Sequence, residues 1–119
     1  MKIIFHETES FIIAELSDES FIITETQDAV DLLAESSVVN CSRIIVRENN
    51  LHPDFFKLHT RLAGDILQKF SNYRVRLAIV GDFSKYKSKS LRDFIRESNK
   101  GNNIFFAKNM NDALGKLIM

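Results

Sequence analysis

Residues 42–83 read SRIIVRENNLHPDFFKLHTRLAGDILQKFSNYRVRLAIVGDF, and this stretch decides the fold. Ile44, Ile45 and Val46 form an apolar run between arginines, as in a strand buried on both faces. Arg47 to Lys57 has turn chemistry, with the only proline, Pro53, behind Asn49-Asn50-Leu51-His52. Leu58, Leu62, Ile66 and Phe70 then recur every fourth residue, with Ala63 and Leu67 beside them, which predicts an amphipathic helix over 58–70. Val75 to Val80 is the strongest buried-strand signal in the chain, and Gly81-Asp82 ends it. Two strands joined by a helix predict parallel neighbours with a right-handed crossover. Gly64 lies on the outer side of the helix, near Thr60 and Gln68. Glycine costs about 1 kcal/mol there relative to alanine, so a partner subunit or a neighbouring loop is expected to pack on it.

Working outward, residues 2–6 and 11–16 read as two strands of a hairpin, joined by Glu7-Thr8-Glu9. A second Glu-Ser-Phe-Ile-Ile run begins at Glu19; nothing after Glu25 continues it, so a repeat is not expected. Thr26 is the expected N-cap of a helix from Gln27 to Glu35, with Asp28 and Asp31 in its first turns. After the central stretch, Ser88 or Ser90 caps a helix whose stripe is Leu91, Phe94, Ile95 and Ser98, and Gly101 suits a left-handed C-cap. Ile104 to Phe106 is the last strand. Asn109 caps a last helix with Met110, Ala113, Leu114 and Leu117 inward. The order predicts a single α/β domain over 1–119, a mixed sheet of four to six strands with a parallel core and about four helices.

With 119 residues one core forms without staples. Ten Phe against two Tyr and no Trp make that core phenylalanine-rich. A lone Cys41 excludes an internal disulfide and fits a reducing compartment. Met1 to Phe5 is too short for a leader, and no run approaches the ~20 apolar residues of a membrane span. A soluble cytoplasmic protein that does not engage a membrane is expected. Net charge is zero but unevenly placed: residues 1–40 carry nine acids and one base, residues 74–100 eight Lys/Arg and three acids. Either folding interleaves the blocks and cancels the field, or it leaves a dipolar surface with a basic patch near Lys85, Lys87 and Lys89.

Asp54-Phe55-Phe56-Lys57-Leu58-His59-Thr60-Arg61-Leu62-Ala63-Gly64, with Gly81-Asp82-Phe83-Ser84 and Ser88 to Ile95, resembles a family of small, functionally uncharacterised bacterial proteins. The resemblance covers most of the chain; it implies bacterial origin and brings no activity. More distantly, the order of elements is similar to the STAS fold of anti-sigma-factor antagonists, which dock on protein partners and are switched by a phosphorylated serine in an Asp-Ser-Ser-Gly motif. The matching place is Asp54 to Thr60. That motif is absent here, and only Asp54 and Thr60 are chemically comparable.

Chemistry is expected outside the carboxyl ends of the parallel strands. There Glu48 and Asn49 follow one strand, and Asp82, Ser84 and Lys85 follow the other. Strands about 4.8 Å apart would set Glu48 and Asp82 across a crevice, fit for Mg²⁺ through waters, with Lys85 on a phosphate oxygen. The competing reading pairs Glu48 with Arg47 or Lys57 and turns Asp82 onto its own backbone amides. The loop from Ser84 to Ser90 lacks the glycines of a P-loop. His59 projects to the apolar side of the predicted helix, as a core histidine. One Cys and three scattered His argue against a structural zinc site, so no metal and no cofactor is expected. No nucleophile–base pair can be assembled, and a near-neutral pI of 6.8 argues against nucleic acid. Three functions remain. The first is a regulatory protein-binding module using Asp54, Thr60, Gly64 and Gln68. The second is a small-ligand or Mg²⁺–phosphate site, possibly enzymatic, at Glu48, Asn49, Asp82, Ser84 and Lys85. The third is a homodimer through the Thr60–Gly64–Gln68 face.

Overall fold

A computed structural model describes residues 1–118. Five strands form one sheet in the order of the chain: β1 (Ile3–Glu7), β2 (Ile12–Leu16), β3 (Arg43–Arg47), β4 (Arg76–Val80) and β5 (Ile104–Ala107). β1 and β2 are the expected antiparallel hairpin, and β2 to β5 are parallel. Four α-helices follow the strands: α1 (Thr26–Ser37), α2 (Leu62–Asn72), α3 (Lys89–Lys100) and α4 (Met110–Leu117). The chain is therefore a single α/β domain with a mixed, mostly parallel sheet. No helix among the described residues is long and apolar enough to cross a membrane.

The parallel strands are buried on both faces, as their unbroken apolar runs require. Ala14, Ile44, Val46, Leu77, Ile79 and Phe106 point to the face covered by α1, α2 and α3. Ile13, Ile45, Ala78, Phe105 and Ala107 point to the other, which α4 covers with Ala113 and Leu117. Phe55 and Phe70 are the largest fully buried side chains, so the phenylalanine-rich core is real. Cys41 is buried; its thiol lies 2.9 Å from the Arg43 carbonyl, and burial pushes its pKa up, which disfavours the reactive thiolate.

The capping residues work locally. The Ser88 and Asn109 side chains accept from the backbone amides of Leu91 and Asp112, as expected. Three expectations fail. The N-cap of α1 is Glu25, in a reciprocal capping box with Asp28, and Thr26 is already helical. Gly101 has φ −85°, extended backbone that needs no glycine. Val75 precedes β4, its amide held by the Phe70 carbonyl.

The largest difference is the helix expected from Leu58. Its first turn is instead a separate 3₁₀ turn, Leu58–Thr60, and Arg61 at φ 68° breaks the backbone before α2 begins at Leu62. Phe55 and Phe56 explain the break: both are buried, and sinking them turns the chain through Pro53–Phe56 first. His59 is consequently exposed and is not a core histidine. The second Phe-Ile-Ile run is not a strand either. Only Ile23 bridges to Leu51.

Candidate functional site

The carboxyl ends of β3 and β4 carry the expected residues, built as follows. β3 runs into a 3₁₀ turn, Glu48–Asn50, which projects the Glu48 carboxylate toward the loop after β4. Lys85 Nζ lies 2.7 Å from Glu48 Oε2, and the Tyr86 hydroxyl donates to the same oxygen. Burial and then the Glu48 charge push the Tyr86 pKa well up, so the phenol stays a donor. Gly81 makes room for this. A Cβ there would stand 2.7 Å from both Glu48 Cβ and Glu48 Oε1. An aromatic plug backs the cluster: Phe56 stacks on Tyr86 at 4.9 Å, and the Phe83 ring meets Phe106 edge-on at 5.2 Å.

Asp82 does not join Glu48. Its Oδ1 accepts from the Ser84 hydroxyl at 2.6 Å and the Ser84 amide at 3.1 Å, and these bonds hold its carboxyl below the usual range. The expected site is thus split into two shallow grooves. Glu48, Asn49 and Lys85 line one of about 380 Å³ with Leu51, Pro53 and Phe56. Asp82 and Ser84 line another of about 340 Å³ with Phe106 and Lys108. Sheet order gives the reason. Crevices at strand ends open where the order of strands reverses, and this order never does. No group of three or more His, Cys, Asp or Glu among the described residues is placed to hold a metal.

The partner-binding residues scatter as well. The Thr60 hydroxyl lies 2.7 Å from the Asp54 carbonyl and 2.8 Å from that of Lys57, and it accepts from the Leu62 amide at 3.3 Å. Thr60 is therefore the pin of the turn before α2 rather than part of a helix face. Asp54 is the second residue of the preceding turn, Pro53–Phe56, its amide capped by His52 Nδ1 at 3.0 Å. Gly64 and Gln68 do share the exposed side of α2. Nothing lies within 4 Å of the place a Gly64 Cβ would take, so no neighbouring loop uses it.

The family model for a domain of unknown function, DUF4180, matches residues 8–117. The chain belongs to this family. No curated protein and no solved structure gives a match. The DUF4180 span contains every residue singled out above, while β1 precedes it. Membership brings no activity, so function rests on the geometry.

Sequence reasoning missed two clusters, both centred on residues of the DUF4180 span. Glu15 is buried on β2 between His6 Nε2, at 2.8 Å, and Arg47, at 2.7 Å. Burial opposes its charge, but the bonds from Arg47 and His6 outweigh that and hold its carboxyl below the ordinary value. Asn50 is 3% exposed, and its amide donates to the carbonyls of Asp18 and Phe21 while its oxygen accepts from the Arg47 amide. The only sequence signal for Glu15 is a charge inside the apolar run Ile12 to Leu16. Asn50 gives none, because asparagine in a loop is ordinary.

Proposed function

We propose that the chain is a non-enzymatic, regulatory protein-binding module of STAS-like arrangement. One observation carries the reading. Of eight exposed large apolar side chains, six belong to residues 1–39: Met1, Ile4, Phe5, Ile22, Val38 and Val39. They lie along β1, on the connection before α1 and at the end of α1. Ile4 and Phe5 point to opposite faces of β1, so both sides of this edge carry exposed apolar surface, and Met1 and Val38 share one groove. β1 is also an edge strand with one neighbour in the sheet, the arrangement that accepts an added strand. Gly64 and Gln68 offer a second, polar contact on α2.

The small-ligand alternative has the groove at Glu48, Asn49 and Lys85 in its favour. Against it, Lys85 and Tyr86 already satisfy the carboxylate. The two readings separate in one pair of measurements. The first is a thermal-shift panel of nucleotides, phosphorylated metabolites and divalent ions. A ligand at about 100 times its dissociation constant adds roughly 2.7 kcal/mol, several degrees in midpoint. The module predicts a flat panel. A shift abolished by Glu48→Ala would overturn it. The second is capture of a partner by the tagged chain, expected to fail for Phe5→Asp at unchanged midpoint. Light scattering decides the homodimer alternative, since a monomer mass removes it.

A further inference from the structure

The groove beside α1 names the chemistry of that partner. Met1, Phe21, Ala34 and Val38 line it together with Asp31 and Glu35, and its volume is about 600 Å³. Asp31, Ala34, Glu35 and Val38 follow the three- and four-residue spacing that places side chains on one side of a helix. The opposite side, Ala29, Leu32, Leu33 and Ser36, is in the core. Val38 is 81% exposed. Asp31 accepts a bond from Gln27 at 2.9 Å, and among the described residues no ion pair reaches Asp31 or Glu35.

We propose that this groove is the docking site and that its occupant is a polypeptide segment whose apolar side chains are flanked by Lys or Arg. The inference rests on the protein-binding reading. Charge complementarity selects the occupant. Residues 1–40 carry nine acids and one base, and two of these acids, Asp31 and Glu35, line the groove with no Lys or Arg among its lining residues. A second copy docked by two-fold symmetry sets the same acidic groove against itself, which like charges disfavour. Phosphate groups are repelled for the same reason. A basic amphipathic segment fills the apolar floor and neutralises both carboxylates.

The probe is a labelled helical peptide with Leu at i, i+3, i+4 and i+7 and Lys on the flanks. Its Glu-for-Lys counterpart and a scramble of the same composition are the controls. Binding to the full chain is followed by anisotropy and mapped by backbone amide NMR. The Lys peptide is expected to bind, more weakly as salt rises, with shifts gathered at Phe21, Asp31, Ala34, Glu35 and Val38. Asp31→Lys/Glu35→Lys, both exposed positions, should weaken it about ten-fold or more and favour the Glu peptide instead. Glu9→Lys/Glu19→Lys, outside the groove, should retain binding. Absence of binding, equal binding of the scramble, shifts elsewhere, or indifference to the 31/35 reversal would each overturn the proposal. A cellular partner still captured by the 31/35 variant would sink the groove and leave the module standing. No partner for the wild type and no peptide binding would sink both.

Discussion

Two glycines in similar company carry opposite expectations. At Gly81 an added Cβ collides with Glu48 at 2.7 Å and meets Phe83 at 3.2 Å. Gly81→Ala should therefore cost about 1–3 kcal/mol by overpacking. At Gly64 the space is open, and alanine is the better helix former, so Gly64→Ala should stabilise the isolated chain by up to about 1 kcal/mol. Urea unfolding of the two variants reads both signs; a stabilised Gly81→Ala would deny the close approach of Glu48. Glu15 makes a pH prediction. Its folded pKa lies below the ordinary value, so its ion pair adds stability above the ordinary glutamate range and loses it as pH falls through the folded value. Glu15→Gln should be less stable by about 1–3 kcal/mol near neutral pH, with the gap to wild type closing below about pH 4. A gap independent of pH would mean that packing, not charge, holds Glu15 in place. These environments were illegible at the residue level. Gly81 announced a strand end, and nothing near it in the chain announced that Glu48 would lie against it.

At the scale of elements, local chemistry and long-range packing divide cleanly. Ser88 and Asn109 cap the helices that follow them because a cap needs only the next three residues. The helix expected from Leu58 broke because Phe55 and Phe56 had a place in the core that a straight helix could not reach. Asn50 links two connections that have no regular structure of their own. It reaches 32 residues back to Asp18 and 29 to Phe21, beside the Ile23–Leu51 bridge. Asn50→Ala removes the side-chain partner of the Phe21 carbonyl and of the Arg47 amide, while the Asp18 carbonyl keeps the Phe21 amide. A loss of about 2 kcal/mol or more is expected, with faster hydrogen exchange at the amides of Ile23 and His52, which bond across the bridge. Unchanged exchange there would show that the bridge stands without its clamp.

For the whole molecule, strand order decides more than shape. Because the sheet runs β1 to β5 in chain order, the acidic N-terminal block and the basic block around α3 lie toward opposite edges rather than interleaving. Strand order speaks for the dipolar reading of the charge pattern, while the pairs Lys85–Glu48, Lys89–Asp93 and Arg47–Glu15 cancel part of the field. A chain of zero net charge with separated blocks should be retained at low salt, near neutral pH, by both anion and cation exchangers. Passage through both would indicate that the fields cancel. The same order explains the split site. Without a reversal no crevice opens, and the strand ends close over the rings of Phe56, Phe83 and Tyr86. The sequence by itself determined the strands, the helices, their parallel core and the end of the molecule where Glu48 and Asp82 lie. It could do so because period, caps and strand stops are written within a few residues of where they act. Only the tertiary structure decided that Glu48 takes Lys85 and Tyr86 while Asp82 takes Ser84, that Thr60 pins a turn, and that Phe21 meets the outer side of α1. The Glu48–Tyr86 bond spans 38 residues, and which partner a side chain meets at that distance follows from how the sheet is ordered.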